Sequence, residues 1–517
     1  MKTSNLSAVL SAFLFATGAT QAIAQEPTRM PTLSPVPDST GWGTHVLAVA
    51  EASDGSVWVG TYGQGIYLSR DGAGRDWENL RSRDSAGISW DFVNAFAFAP
   101  GVIWYGTIGN GWGVSRDGGR TWRNWTFDEL GPRWLYVAPG GMAATDDTVF
   151  VATADGLRIT GDGGETWRDV TEADGLSSRY LLGLAVGESV RVRHLAGVDE
   201  SVDGGRTWRR ASQAGAGERP PPPPEPATGS ALVREIRQWQ GRFRDYAAPA
   251  GAVVEPGDRA HFRFRRPIGP DGNAYVDQTY TYGSTMGGNF QQHQGVEFNN
   301  PEGTPVRAIG DGIVVFAGQA EAGSNTVAIR HGRHESPPGC PAAGFVWSTY
   351  YHNADLTVAT GDTVRAGDVI AHVGSTGRAT NDHLHLEIHV TPTDSSALVV
   401  DSEVRFPPYT VNPILWIEPL PGTGAIAGRV FDAAGRPVPG TRVYGVAKPE
   451  PAETPFSFAE TYEDRAHSDP VFGEHFVIGD VPAGDYVLGV EVEGRRLFRA
   501  VRVAPGRVTE VVLQQLR

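Results

Sequence analysis

Cysteine is all but missing. A single Cys340 in 517 residues rules out a disulfide framework within the monomer, so cores or a metal must hold the fold. Positive charge is short as well. A formal net charge of −15 argues against nucleic acid as a partner and leaves no polybasic patch for a membrane surface. It gives no help in adhering to an anionic wall polymer either. Beyond the first residues there is no apolar run long enough to span a bilayer. Long helices should be scarce, because 66 glycines and 36 prolines favour short strands joined by turns. Disorder is excluded by 40% hydrophobic and 20% charged residues, an ordinary globular balance. The length asks for roughly three or four domains of mostly β structure.

The exception at the start reads as a secretory signal over residues 1–24. Lys2 supplies the positive charge, residues 6–16 the short apolar stretch, and Ala22-Ile23-Ala24 the small-residue cleavage site. No cysteine lies there to carry a lipid, so no stable membrane anchor is expected after signal removal. The mature chain is expected to begin near Gln25 and to be exported, whether to the periplasm, the cell surface or the medium.

A repeat occupies residues 40–212. Ser115-Arg116-Asp117-Gly118-Gly119-Arg120-Thr121-Trp122 recurs at 160–167 and 201–208, with a weaker copy at 69–77. The aspartates at 71, 117, 162 and 203 stand 46, 45 and 41 residues apart, the period of a propeller blade. This segment resembles the Asp-box repeats of sialidase-type β-propellers, which implies a small or partial β-propeller and a surface available to a protein partner. A glycosidase reading lacks any paired-carboxylate or nucleophile motif. The boxes read instead as holders of hairpins, their glycines free to take positive φ.

Residues 213–229 form a Pro/Gly-rich linker, whose run from Pro220 through Pro224 is a semi-rigid extended spacer. Ser230 then could cap a short helix carrying Val233, Ile236, Trp239 and Phe243 on one face. At the other end, residues 424–517 alternate strands and turns, as in Gly435-Arg436-Pro437 and Pro482-Ala483-Gly484. They resemble the transthyretin-like regulatory domains of carboxypeptidases, which implies a C-terminal β-sandwich acting as spacer or adhesion module.

Between them, residues 230–418 hold the chemistry, with a core at 290–392. In a strand, His383 and His385 point the same way while Leu384 and Leu386 back them. His293 and Glu297 also differ by an even number, and Gly295 between them allows close approach of another group. Two imidazoles and a carboxylate form a set that leaves a fourth zinc position for water. Tyr350-Tyr351-His352 adds a further imidazole. His293 to Glu297, His352, and His383 to Glu387 in this order, with Gly361-Asp362-Thr363-Val364 and Gly367-Asp368-Val369-Ile370, closely resemble the lysostaphin-type (LytM-like) zinc metalloendopeptidases.

That resemblance implies a compact antiparallel β domain and one Zn²⁺ per chain on His293, Glu297 and His385. It makes His352 and His383 the catalytic pair. The implied substrate is peptidoglycan or a related glycine-containing peptide. Glu387 shares the face of both strand histidines, and His389 further along reads as structural. His331, His334 and His372 match no catalytic position. Three departures stand out. Glu297 replaces the family's aspartate, and its extra methylene moves the carboxylate outward by about 1.5 Å, against a working tolerance of about 0.5 Å. Tyr282-Gly283-Ser284-Thr285 also replaces the family's aromatic-Gly-x-Arg, and Asn381-Asp382 replaces the small-residue and proline lead-in to the His-x-His strand. The alternative is a catalytically weak or inactive peptidase fold that serves as a cell-wall binding or activator module.

Overall fold

The structure is a computed structural model that describes residues 35–37, 45–145, 147–194, 196–213, 229–242, 249, 251–258, 262–320, 324–333, 344–379, 381–401, 406–446 and 457–515. The expected signal segment, most of the linker, Phe243, His334 and Cys340 lie outside the described residues. No described helix is long and apolar enough to cross a membrane.

The repeats become four four-stranded sheets, spanning 46–80, 93–125, 137–170 and 181–213, each an antiparallel meander in sequence order. Each box joins the third strand to the fourth. In the second sheet Asp117 accepts hydrogen bonds from the Arg120 and Thr121 backbone N–H groups at 3.0 Å and from Thr121 Oγ1 at 2.7 Å. The same pattern recurs around Asp162 and Asp203. A Cβ on Gly119, which sits at φ 86°, would lie 2.6 Å from the Trp58 ring of the preceding sheet. The box thus lets one meander press on the next. Trp58 and Trp122 share one apolar cluster, Trp104 and Val149 the next, and Phe150 and Val192 a third. A further cluster, holding Tyr62, Ile108, Ala154 and Leu182, draws on all four meanders. The first is covered by the helix Ala231–Arg242, through buried Leu232, Val233 and Ile236, and by Tyr444 of the C-terminal region. Val233 N donates to the Ser230 hydroxyl at 3.4 Å, as expected of that cap.

The histidine-bearing segment folds into one nine-stranded sheet. The His-x-His strand, His383–Thr391, runs between Val296–Asn299 and Phe345–Leu356, antiparallel to both. Leu384, Leu386 and Ile388, on one face of it, are fully enclosed in a core with Phe298, Tyr350 and Trp416. Each such apolar side chain contributes about 1.5–3 kcal/mol on removal from water.

C-terminally, a three-stranded sheet (Phe476–Pro482, Thr423–Phe431, Val508–Gln514) and a four-stranded one (Ser457–Glu460, Arg442–Val446, Gly484–Val492, Arg495–Val503) face each other across an apolar core. The core of the histidine-bearing segment does not stop at residue 418. Ala425, Ala427, Tyr462, Ala466, Phe472 and Val477 belong to the same cluster as Trp416 and Leu384. The two C-terminal units therefore share a core.

Candidate metal centre

Strand register builds the site. Glu297 and Tyr351 lie directly opposite His385 on its two neighbouring strands, so all three side chains meet on one face. The site-facing side chains of His383, His385 and Glu387 alternate with the buried leucines, as period-2 reasoning expected. Gly295 matters for space, because a Cβ there would fall 2.5 Å from His385 Nε2. His352 breaks the alternation after Tyr351. It adopts φ 64° beside an irregularity in pairing with Asn325–Arg333, and this turns its ring into the groove with Tyr351 and His385.

His293, Glu297 and His385 each offer a ligand atom within 4.8 Å of the others, and His352, His383 and His385 do the same. His293 Nε2 stands 3.1 Å from His385 Nδ1 and 3.4 Å from Glu297 Oε1. A tetrahedral ion with ligand bonds of about 2.0–2.1 Å requires donor separations of about 3.3 Å, so the first trio fits zinc. The longer glutamate side chain does not overshoot. Its Oε1 lies 3.4 Å from His293 Nε2 and 3.6 Å from His383 Nε2.

The electrostatics point the same way. Burial, reinforced by Asp277, raises the Glu297 carboxyl well above its ordinary value. Burial, reinforced by His385, holds His293 well below its own. Burial also lowers His352 to about 4, and lowers His383 well below the usual range with His352 adding to it. These four groups resist charge by themselves, and a divalent cation would stabilise them, since it favours neutral imidazole and ionised carboxylate together.

Two carbonyl groups set the tautomers. His352 Nδ1 donates to Thr376 O at 2.8 Å, and His383 Nδ1 donates to Asn381 O at 2.9 Å. Carbonyl oxygens only accept, so both neutral rings carry hydrogen on Nδ1 and present a basic Nε2. His385 Nε2 lies 3.3 Å from Glu387 Oε1, whose other oxygen is 3.2 Å from His389 Nε2. Burial pushes Glu387 up, yet hydrogen bonds from His385 and His389 more than offset it and bring it to about 2. His389 is fully enclosed and structural. His331 is tied to Asp311 O and Ser348 Oγ, and His372 to Asp355, apart from the site.

Sequence reasoning missed two residues of the site. Asp277 lines the groove and accepts a hydrogen bond from Asn299 at 2.9 Å. Tyr280 stacks on His293 with centroids 3.9 Å apart. Neither carries a local signal, for each lies in irregular chain ahead of the motif. The groove of about 470 Å³ also has a wall from the N-terminal sheets, including Trp90, Ile108 and Tyr136. Met286 and Phe290 line it from the loop before His293.

Residues 291–397 match the family model for Peptidase family M23. The DD-carboxypeptidase/endopeptidase Mpg of Neisseria meningitidis is 41% identical over 98 residues, which are 19% of this chain and 20% of that relative. The glycyl-glycine endopeptidase ALE-1 of Staphylococcus capitis is 38% identical over 112 residues, 21% of this chain and 28% of its own. The catalytic domain of lysostaphin from Staphylococcus simulans is 30% identical over 24% of this chain and 77% of that chain, with a TM-score of 0.17. The chain thus spans only 20% to 28% of the length of these curated relatives.

Proposed function

We propose that this chain, which carries a Peptidase family M23 domain over residues 291–397, is an exported zinc-dependent endopeptidase. Its substrates are peptide bonds in peptidoglycan cross-links or related glycine-containing peptides. The observation that carries this reading is the convergence of His293, Glu297 and His385 within 4.8 Å, beside two neutral imidazoles in an open groove. The names of the relatives support the substrate class: a DD-carboxypeptidase/endopeptidase and a glycyl-glycine endopeptidase.

Zinc held by His293, Glu297 and His385 would polarise the scissile carbonyl and lower the pKa of a bound water towards about 7. His383, its Nδ1 hydrogen committed to Asn381 O, takes the water's proton on Nε2 as general base. The water oxygen bonds to the carbonyl carbon. His352, oriented by Thr376 O, faces the developing oxyanion. With the proton from water passed on to its Nε2, it can donate there. The C–N bond breaks and the amine leaves with the proton that water gave up. The four meanders are read as a small propeller and the C-terminal sheets as a transthyretin-like sandwich. Both place the catalytic groove, outside the cytoplasm.

The test is cleavage of purified peptidoglycan and of a glycine-bridge peptide by the zinc-loaded full chain, followed as newly released amino groups. Cleavage that a chelator stops and zinc restores is the expected result. Tight binding of wall without any released amine would overturn the enzyme reading in favour of a binding or activator module.

A further inference from the structure

His385 sits within a sheet and is paired on both sides, so its position follows from the fold. His293 does not. It precedes the strand Val296–Asn299, and ladder hydrogen bonds cannot hold it. A metal ligand must nevertheless be fixed to about 0.5 Å. Something else holds it.

Its two chain neighbours are buried glutamines, Gln292 and Gln294, exposed by only 3% and 4%. Gln292 Oε1 accepts hydrogen bonds from the backbone N–H groups of Glu463 at 3.1 Å, Arg465 at 3.3 Å and Ala466 at 2.8 Å. Gln294 Nε2 donates to Arg465 O at 2.9 Å, as well as to Pro407 O at 3.0 Å and Thr410 Oγ1 at 3.1 Å. The backbone of His293 closes the cage. His293 N donates to Ser284 O at 3.0 Å and His293 O accepts from Gly283 N at 2.9 Å. Gly283 O in turn accepts from Gln292 Nε2 at 3.0 Å. Gly283 lies against Tyr462, where a Cβ would come within 2.6 Å of the ring. The Tyr282 hydroxyl accepts from His467 N at 2.8 Å.

We infer that the C-terminal sandwich is a working part of the metal centre. Its 462–467 loop clamps Gln292 and Gln294 and thereby sets the place of His293. The inference rests on the reading of His293 as a metal ligand. Gln292 and Gln294 are positioning residues that never meet the ion. A spacer or adhesion module would need only a generic apolar contact. Here three backbone N–H groups of one loop converge on one side-chain oxygen adjacent in sequence to a ligand. The arrangement is a hydrogen-bonded outer shell supplied across a domain boundary, and loss of such a shell typically weakens metal affinity 10- to 100-fold, about.

The experiment uses the full chain and measures zinc affinity by competition with a chromophoric chelator, alongside the melting temperature of the metal-free protein. The cobalt(II) absorption spectrum of each variant reports ligand geometry. Gln292→Ala is expected to weaken zinc binding about 10- to 100-fold and to shift the cobalt spectrum. Gln292→Glu, which keeps an oxygen for the three N–H groups but loses the Gly283 bond, should fall between that variant and the parent. Arg266→Ala is the control, since Arg266 pairs with Asp480 across the same boundary but away from His293. It should lower the melting temperature and leave zinc affinity unchanged. Parental zinc affinity in Gln292→Ala would overturn the inference. So would equal weakening in Gln292→Ala and Arg266→Ala at matched loss of melting temperature. A parent chain that binds no zinc would instead sink the metal reading itself, and this inference with it.

Discussion

The molecule uses carboxylates in two opposite ways. In the N-terminal sheets, Asp117, Asp162 and Asp203 find their partners within four residues: a turn's backbone N–H groups and two side-chain hydroxyls each. Those hydrogen bonds hold Asp117 down at about 2. At the metal centre, Glu297 is enclosed, is pushed up by burial and Asp277, and faces imidazoles brought from distant strands. A polar group satisfied by its own loop is structure. Polar groups from distant segments that converge on one shared point are poised for an ion. The repeated motif is thus the more conspicuous in sequence and the less chemical in the fold.

Substitutions can break this contrast, beginning where the effect should be largest. His385→Ala removes a ligand shared by both donor trios. Zinc should be lost and kcat/KM should fall on the order of 10³-fold or more, as for a member of a set that acts as a unit. His383→Ala should keep its zinc yet lose about 10²- to 10⁴-fold in kcat, the range of a general base. Metal analysis beside steady-state kinetics separates these two. Trp90→Ala, on the groove wall from the N-terminal sheets, should raise KM about two- to tenfold with little change in kcat, since an aromatic contact is worth about 0.5–1.5 kcal/mol. An unchanged KM would remove that wall from the substrate's path. Asp117→Asn should leave kcat/KM untouched and lower the melting temperature slightly. The sign of its pH dependence follows from a depressed pKa. The stabilisation is full above the unfolded value of about 3.9 and fades as pH falls towards about 2. Melting curves at neutral pH and in acid should therefore converge for parent and variant only in acid.

Much of this was legible because it is local. Period-2 alternation placed His383 and His385 on one face and Leu384 and Leu386 on the other, whereas Glu297 meets His385 through strand register, since His293 lies outside the strand Val296–Asn299. The boxes declared themselves by repetition, and their strands followed. His352 was found by its motif but not by its geometry, since a left-handed residue at an irregular pairing leaves no periodic trace. Tyr280 over His293 could not be read at all. The grip of residues 463–466 on Gln292 spans some 170 residues of sequence, and the shared core across residue 418 is likewise a tertiary fact. Glu297 looked too long by one methylene, yet its carboxylate reaches within 3.4 Å of His293.

The zinc content of the purified full chain tests the central claim most directly, with His385→Ala and Glu297→Asp measured alongside. The account predicts about one zinc per chain, the single ion of a catalytic site, its loss in His385→Ala, and no gain from Glu297→Asp. A natural chain without zinc that acquires it in Glu297→Asp would contradict the account and mark the centre as degenerate.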